Sequence, residues 1–268
     1  MTDPNSVSTR HPVDILFAEL AAFGPYPEGV IPLPARIAGT AFFPGGAGLW
    51  GVQPGQPLPP FPLGGVMILG HDFDSLAAFR KSYDAGTEVE TLANGAYRGG
   101  ATWRNLLPLL HEAGIDPQEC FFTNAYMGLR ADDESMGQFP GASDADFVTR
   151  SKAFFLRQVD LQRPRVIITL GAWVPSLIAP LAPELSHWVG QRSLGAIDRA
   201  GPVVTGVRFG GAATPTTVVA LTHPSLRGPN VRRRRYETET GQRAELAMLH
   251  TALASARLPT EHSPFANP

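Results

Sequence analysis

Four short apolar runs recur along the chain, Val66–Leu69, Cys120–Thr123, Val166–Leu170 and Thr217–Leu221, and each stops at a glycine, asparagine or threonine. Runs of this length, rich in β-branched and aromatic residues and closed by turn formers, are the mark of strands buried on both faces of a parallel sheet. Between them the apolar period lengthens to that of a helix. Trp103, Leu106, Leu107 and Leu110 line one face of a segment expected to run from Thr102, as its N-cap, to about Ala113, with Gly114 as its stop and Pro108 as a point of kinking. Phe147, Phe154, Phe155 and Val159 do the same from about Asp146 to Gln162, where Pro164 closes the helix. Further helices are expected from Trp173 to about Leu181, with Pro175 in the first turn, and from about Thr240 to Ala256. Residues 184–214 read as irregular, with a hairpin candidate at Val203–Phe209. Parallel strands need right-handed crossovers, so the expected fold class is α/β: a three-layer α/β/α arrangement around a central four-stranded, mainly parallel sheet.

The ends of the chain follow other rules. Residues 1–11 are polar, and Val13, Leu16, Leu20 and Phe23 then recur at helical spacing over Pro12–Phe23. From Gly24 to Gly65 proline and glycine are too dense for long regular elements, with Arg36–Phe43 the one strand candidate. A disordered linker is one reading of this stretch, but Phe42, Phe43, Trp50 and Phe61 are apolar surface worth burying. The expected organisation is therefore an extension over 1–63 packed on the core, a main domain over 64–258 and a flexible tail over 259–268. Two long polar connections, Phe73–Gly100 and Ala131–Asp144, interrupt the main domain, and connections of that length are usually functional or disordered.

Composition narrows the class. An apolar fraction of 43% over 268 residues is ample for a real core, and a net charge of −2 gives no global argument for nucleic acid. A local basic patch does exist at Arg232, Arg233, Arg234 and Arg235. The single cysteine, Cys120, excludes an internal disulfide and any multi-cysteine zinc or iron–sulfur site within the chain. No apolar run approaches the roughly 20 residues that cross a bilayer. The start Met1-Thr2-Asp3-Pro4-Asn5 lacks a charged and then apolar signal, so no membrane association and a reducing cytoplasm are expected.

In an open α/β sheet, ligands bind beyond the carboxyl ends of the strands. Laid side by side, those ends collect Asp72, Asn124, Gly171 and His223 on one rim. The residues there resemble a known set. Gly70-His71-Asp72-Phe73-Asp74 is similar to the first motif of the uracil-DNA glycosylase superfamily, and Phe121-Phe122-Thr123-Asn124-Ala125 to the segment whose asparagine reads the base. His223-Pro224-Ser225 resembles the second catalytic motif, and Arg165–Gly171 the strand between them. The resemblance covers about residues 64–256. It implies a base-excision repair enzyme whose partner is DNA containing uracil. Such an enzyme hydrolyses the N-glycosidic bond to leave an abasic site, as a monomer with no lyase step, metal, iron–sulfur cluster or other cofactor.

The chemistry agrees. Breaking an N-glycosidic bond builds positive charge on the sugar and negative charge on the departing base. Asp72 suits the first as an anion beneath the sugar that also orients or deprotonates water, and His223, neutral by analogy with the family, suits the second as a donor to the base oxygen. Asn124 offers the donor and acceptor needed to accept the edge of uracil and refuse that of cytosine. The resemblance places Gly70, His71 and Phe73 in the base pocket. A flipped base also needs an aromatic platform, for which Tyr97 and Phe73 are the candidates, and a wedge, which falls on Leu226 or Arg227. Arg232 to Arg235 would clamp phosphates, with Thr102 and Ser225 as weaker contacts.

Each residue also has a plain structural alternative. Asp72 and Asn124 can be caps, His223-Pro224-Ser225 a turn, the two rings packing, and the arginines solvated surface. Members of the family carry proline and tyrosine after the aspartate, where the tyrosine excludes the thymine methyl, and this chain has Phe73 and Asp74. Hypoxanthine or mismatched thymine as the excised base, and a catalytically silent damage-binding module, stay open at this stage.

Overall fold

The computed structural model describes residues 11–33, 42–44, 60–78, 80, 100–212 and 214–257. Its strands are β1 (Val30–Ile31), β2 (Val66–Gly70), β3 (Cys120–Asn124), β4 (Leu129–Arg130), β5 (Val166–Leu170), β6 (Val203–Val207), β7 (Thr216–Leu221), β8 (Arg235–Tyr236) and β9 (Glu239–Thr240). The longer helices are α1 (Pro12–Ala21), α2 (Ala101–Glu112), α3 (Ala145–Gln162) and α4 (Gln242–Ala256).

The central sheet has the order β3-β2-β5-β7-β6, with the first four strands parallel. All residues of those four strands are buried, and alternate side chains serve opposite faces, as a pleat requires. Met67, Leu69, Phe121, Ile167 and Val218 join Phe147, Phe154, Phe155 and Val159 of α3 in one core. Val66, Ile68, Phe122, Val166 and Val219 join Leu106, Leu109 and Leu110 of α2 and Met248, Leu249 and Leu253 of α4 in the other. The arrangement is three layers. N-terminal residues complete the first core: Val13, Leu16 and Phe43 are fully buried in it, and the Phe43 N–H donates to the Phe122 carbonyl at 2.9 Å.

Three expectations change. The sheet has five strands, because β6 adds to β7 antiparallel with a register shift between Val204 and Val207. Its half-exposed pattern hid it from a search for continuous apolar runs. Helix α2 starts on Gly100 with no side-chain cap, so Thr102 lies inside the first turn and is not the N-cap. The last helix begins at Gln242, since Glu239–Thr240 pairs with Arg235–Tyr236 in a hairpin. Helix α2 runs through Pro108, and α3 is capped as its sequence suggests, with the Asp144 carboxylate accepting from the Phe147 N–H at 2.7 Å. The strand candidate Arg36–Phe43 and the ring of Trp50 lie almost wholly outside the described residues.

Candidate active site

Parallel registry fixes which strand ends are neighbours. Gly70 pairs with Asn124 and Leu170 with Leu221, so Asp72, Asn124, Gly171 and His223 leave the sheet on the same rim. Two glycines make the packing there possible. A Cβ at Gly70 would stand 2.0 Å from Oδ1 of Asn124, and one at Gly171, where φ is +88°, would stand 3.2 Å from Cβ of His223. Any larger residue at Gly70 would displace the carboxamide.

Asp72 is enclosed by donors. Its Oδ2 accepts from His71 Nδ1 at 2.8 Å and from Arg130 Nη2 at 2.9 Å, and its Oδ1 accepts from the Asp74 N–H at 2.9 Å. Burial alone would raise its pKa, but the His71 hydrogen bond and charge, the Arg130 bond and the backbone N–H outweigh burial and hold it at about 2. Asp74 explains the departure from the usual motif. It sits at φ 74°, a conformation that aspartate tolerates, and this turns its N–H onto Asp72 while its own carboxylate accepts from Ser75. Phe73 is half-buried against the first core.

His223 is also half-buried, and its Nδ1 lies 2.8 Å from Ser225 Oγ. Burial lowers its pKa; the charge of Asp72 opposes that and His71 adds to it, and the net direction is down, which favours the neutral ring. The loop carrying it is held from two sides. Asn105 of α2 donates to the Pro224 carbonyl at 2.8 Å, and Glu245 of α4, fully buried, accepts from the Thr222 N–H at 2.7 Å.

The arginines divide. Arg234 is 1% exposed, donating to Glu245 and Asp198 at 2.8 Å each and to the Ala220 carbonyl at 2.6 Å. Arg227 is buried and paired with the other oxygen of Glu245. Neither reaches outward as a phosphate clamp or a wedge. Buried charge demands partners, and these two meet theirs inside. Arg232, Arg233 and Arg235 are exposed, as is Ser225, and Leu226 is 38% exposed on the same loop. Thr102 is half-buried, and Tyr97 lies outside the described residues.

Sequence reasoning missed Arg130, Asn105, Glu245, Asp198 and Trp173. Glu245 had left a trace: it shares the face of Leu249 and Ala252, and a lone charge on an apolar stripe signals a buried partner. Trp173, two residues past Gly171, is 51% exposed with its ring 6.2 Å from that of His71. Among the described residues no group of three or more His, Cys, Asp or Glu could hold a metal ion, and Cys120 is buried with its thiol pKa pushed up by that burial. No helix among the described residues is long and apolar enough to cross a membrane.

What the rim can do chemically is hold an anion at the end of β2 and a neutral hydrogen-bond donor at the end of β7, with the end of β5 between them and a carboxamide on β3 beside the anion. A search of curated proteins finds no match to this chain. The family model described as the uracil DNA glycosylase superfamily matches residues 84–245, more than half of the chain. That span takes in Asn124, Gly171 and His223, and begins downstream of Asp72. With the mixed α/β sheet that carries them, this match places the chain in the uracil DNA glycosylase superfamily.

Proposed function

We propose that the protein excises uracil from DNA, hydrolysing the N-glycosidic bond and leaving an abasic site with the strand intact. One observation carries the reading: the rim joins a carboxylate held ionised to an imidazole favoured in its neutral form, the two states this bond cleavage asks for. As the bond from C1′ to the base nitrogen breaks, its electron pair leaves with uracil. Asp72 faces the positive charge on the sugar, and water adds its oxygen to C1′ and gives up a proton that uracil finally takes. The reading takes the tautomer in which the Ser225 hydroxyl, 2.8 Å away, donates to Nδ1, so that the proton of His223 stands on Nε2 to hydrogen-bond the base oxygen as it turns anionic. Asn124 reads the base edge, with Gly70 fixing the depth of its carboxamide. Trp173 is the platform best placed among the described rings, Leu226 the wedge, and Arg232, Arg233 and Arg235 the phosphate contacts. In this reading the protein works as a monomer in the cytoplasm, and it needs no metal or cofactor because Asp72 and His223 meet both developing charges.

The test is a fluorescent oligonucleotide with one uracil, incubated in EDTA and then treated with alkali. Wild type should yield an alkali-dependent break, and Asp72→Asn and His223→Ala only a small fraction of it on long incubation; no break from wild type, or equal breaks in all three, would sink the assignment. Asp74, exposed and with its carboxylate accepting from the Ser75 N–H, stands where the family's tyrosine excludes the thymine methyl, which favours a second reading in which thymine opposite guanine is also released. A parallel duplex carrying that mismatch decides it. A silent damage-binding module would bind the uracil duplex and free no base.

A further inference from the structure

We propose that Arg130 positions Asp72 for the reaction, pinning Oδ2 so that Oδ1 is the carboxylate oxygen presented to the sugar and the attacking water. The inference rests on the glycosylase reading. The connection after β3 doubles back along the Asp72 loop: the Tyr126 N–H donates to the His71 carbonyl and the Arg130 N–H to the Asp74 carbonyl, both at 3.0 Å. This backbone pairing delivers a guanidinium that is 3% exposed to the carboxylate. Arg130 is itself immobilised. Nη1 donates to the carbonyls of Met136 and Gln138 at 3.0 and 3.2 Å, Nη2 donates to the Gly137 carbonyl at 3.0 Å, and Cζ lies 5.6 Å from the centre of the Phe139 ring. A planar fork anchored at three carbonyls fixes the direction of its last donor in a way that a lysine ammonium does not.

The consequence is an asymmetric carboxylate. Oδ2 takes two donors, His71 and Arg130, while Oδ1 takes one among the described residues, the Asp74 N–H, so its other lone pair is the place for water. Arg130 meets one carboxylate among the described residues, that of Asp72, and its Nε is buried with no partner there. A side chain needed only to tie the 136–138 turn would not have to bring a charge to the candidate catalytic anion.

The experiment is a double-mutant cycle of Arg130→Gln and Asp72→Asn, read as kcat and KM on the uracil oligonucleotide across pH. The other titratable groups facing Asp72 are His71, Asp74, Tyr126 and His223, so all variants are compared over the same pH series. Arg130→Gln should lower kcat about 100-fold with KM nearly unchanged, the order that a misplacement of about 1 Å produces. Its acid limb should move to higher pH, and it should add almost nothing in the Asp72→Asn background. Equal factors in both backgrounds, or an unmoved limb, would show a merely structural residue. Arg130→Lys, which keeps the charge and is the fallback should the glutamine variant not fold, should lose about tenfold in kcat; wild-type kcat in it would overturn the proposal. Carbon-13 NMR titration of the Asp72 carboxyl in wild type and the Arg130 variants needs no substrate. If wild type frees no uracil, the glycosylase reading falls, while an unmoved carboxyl titration removes the Arg130 role on its own.

Discussion

Gly70→Ala adds one methyl group at the point where the rim has no room for it. The new Cβ would start 2.0 Å from Oδ1 of Asn124, far inside van der Waals contact, and Asn124 is itself 4% exposed with strand β3 behind it. The carboxamide has to retreat by more than 1 Å, or β2 and β3 have to part at the pair Gly70–Asn124. Overpacking of this kind costs about 1–3 kcal/mol. Taking about 2 kcal/mol, the folding equilibrium falls roughly 30-fold and Tm by about 4–8 °C for a chain of this size. Activity should fall further, by about 100-fold, since the displaced group is the proposed reader of the base. Urea unfolding and uracil release measure the two losses separately. The double variant Gly70→Ala/Asn124→Ala removes the obstacle, so it should regain most of the stability and none of the activity. Wild-type stability and activity in Gly70→Ala would refute the geometry of the rim, and a double variant no more stable than the single one would refute the stated cause.

Two further outcomes follow. Arg234→Met should destabilise the fold by about 3–5 kcal/mol, because it removes the one cation paired with Asp198 among the described residues and one of the two paired with Glu245, whereas Arg235→Ala should leave stability within about 0.5 kcal/mol and reduce the salt dependence of DNA binding by about one unit of slope; urea melts and binding titrations across salt distinguish them. Asp72 has its carboxyl lowered from the usual 3.8 to about 2, so its contribution is present above 3.8 and is lost as pH falls through about 2. At about 1.36 kcal/mol per pH unit this is about 2 kcal/mol between pH 5 and pH 2, which wild type should lose and Asp72→Asn should lack in urea melts over that range.

The four parallel strands were legible because burial on both faces leaves an unbroken apolar run, and Val66–Leu69 or Val166–Leu170 admits little else. Strand β6 was legible only as a hairpin candidate over Val203–Phe209 and not as a member of the sheet, since its exposed Thr205 and Gly206 break the apolar run that marks the other strands. The same division holds at the site. Asp72 and His223 stand immediately past buried strands, where position alone marks them as candidates. Arg130 reaches Asp72 across 58 residues of sequence, and Arg234 reaches Asp198 across 36, so no local pattern distinguishes them from solvated arginines. A run of four arginines reads as one surface feature until the fold turns its third member inward.

Glu245 gives the order of synthesis a meaning. It lies in the last helix of the described chain, yet it holds the N–H next to His223 and both arginines that brace that loop. A nascent or proteolysed chain that ends before Gln242 would already contain every residue of the proposed chemistry and lack the carboxylate that sets one of them in place. On the proposed function such a chain would meet DNA with its glycosidic machinery unassembled, so fragments should release no base where the finished protein does.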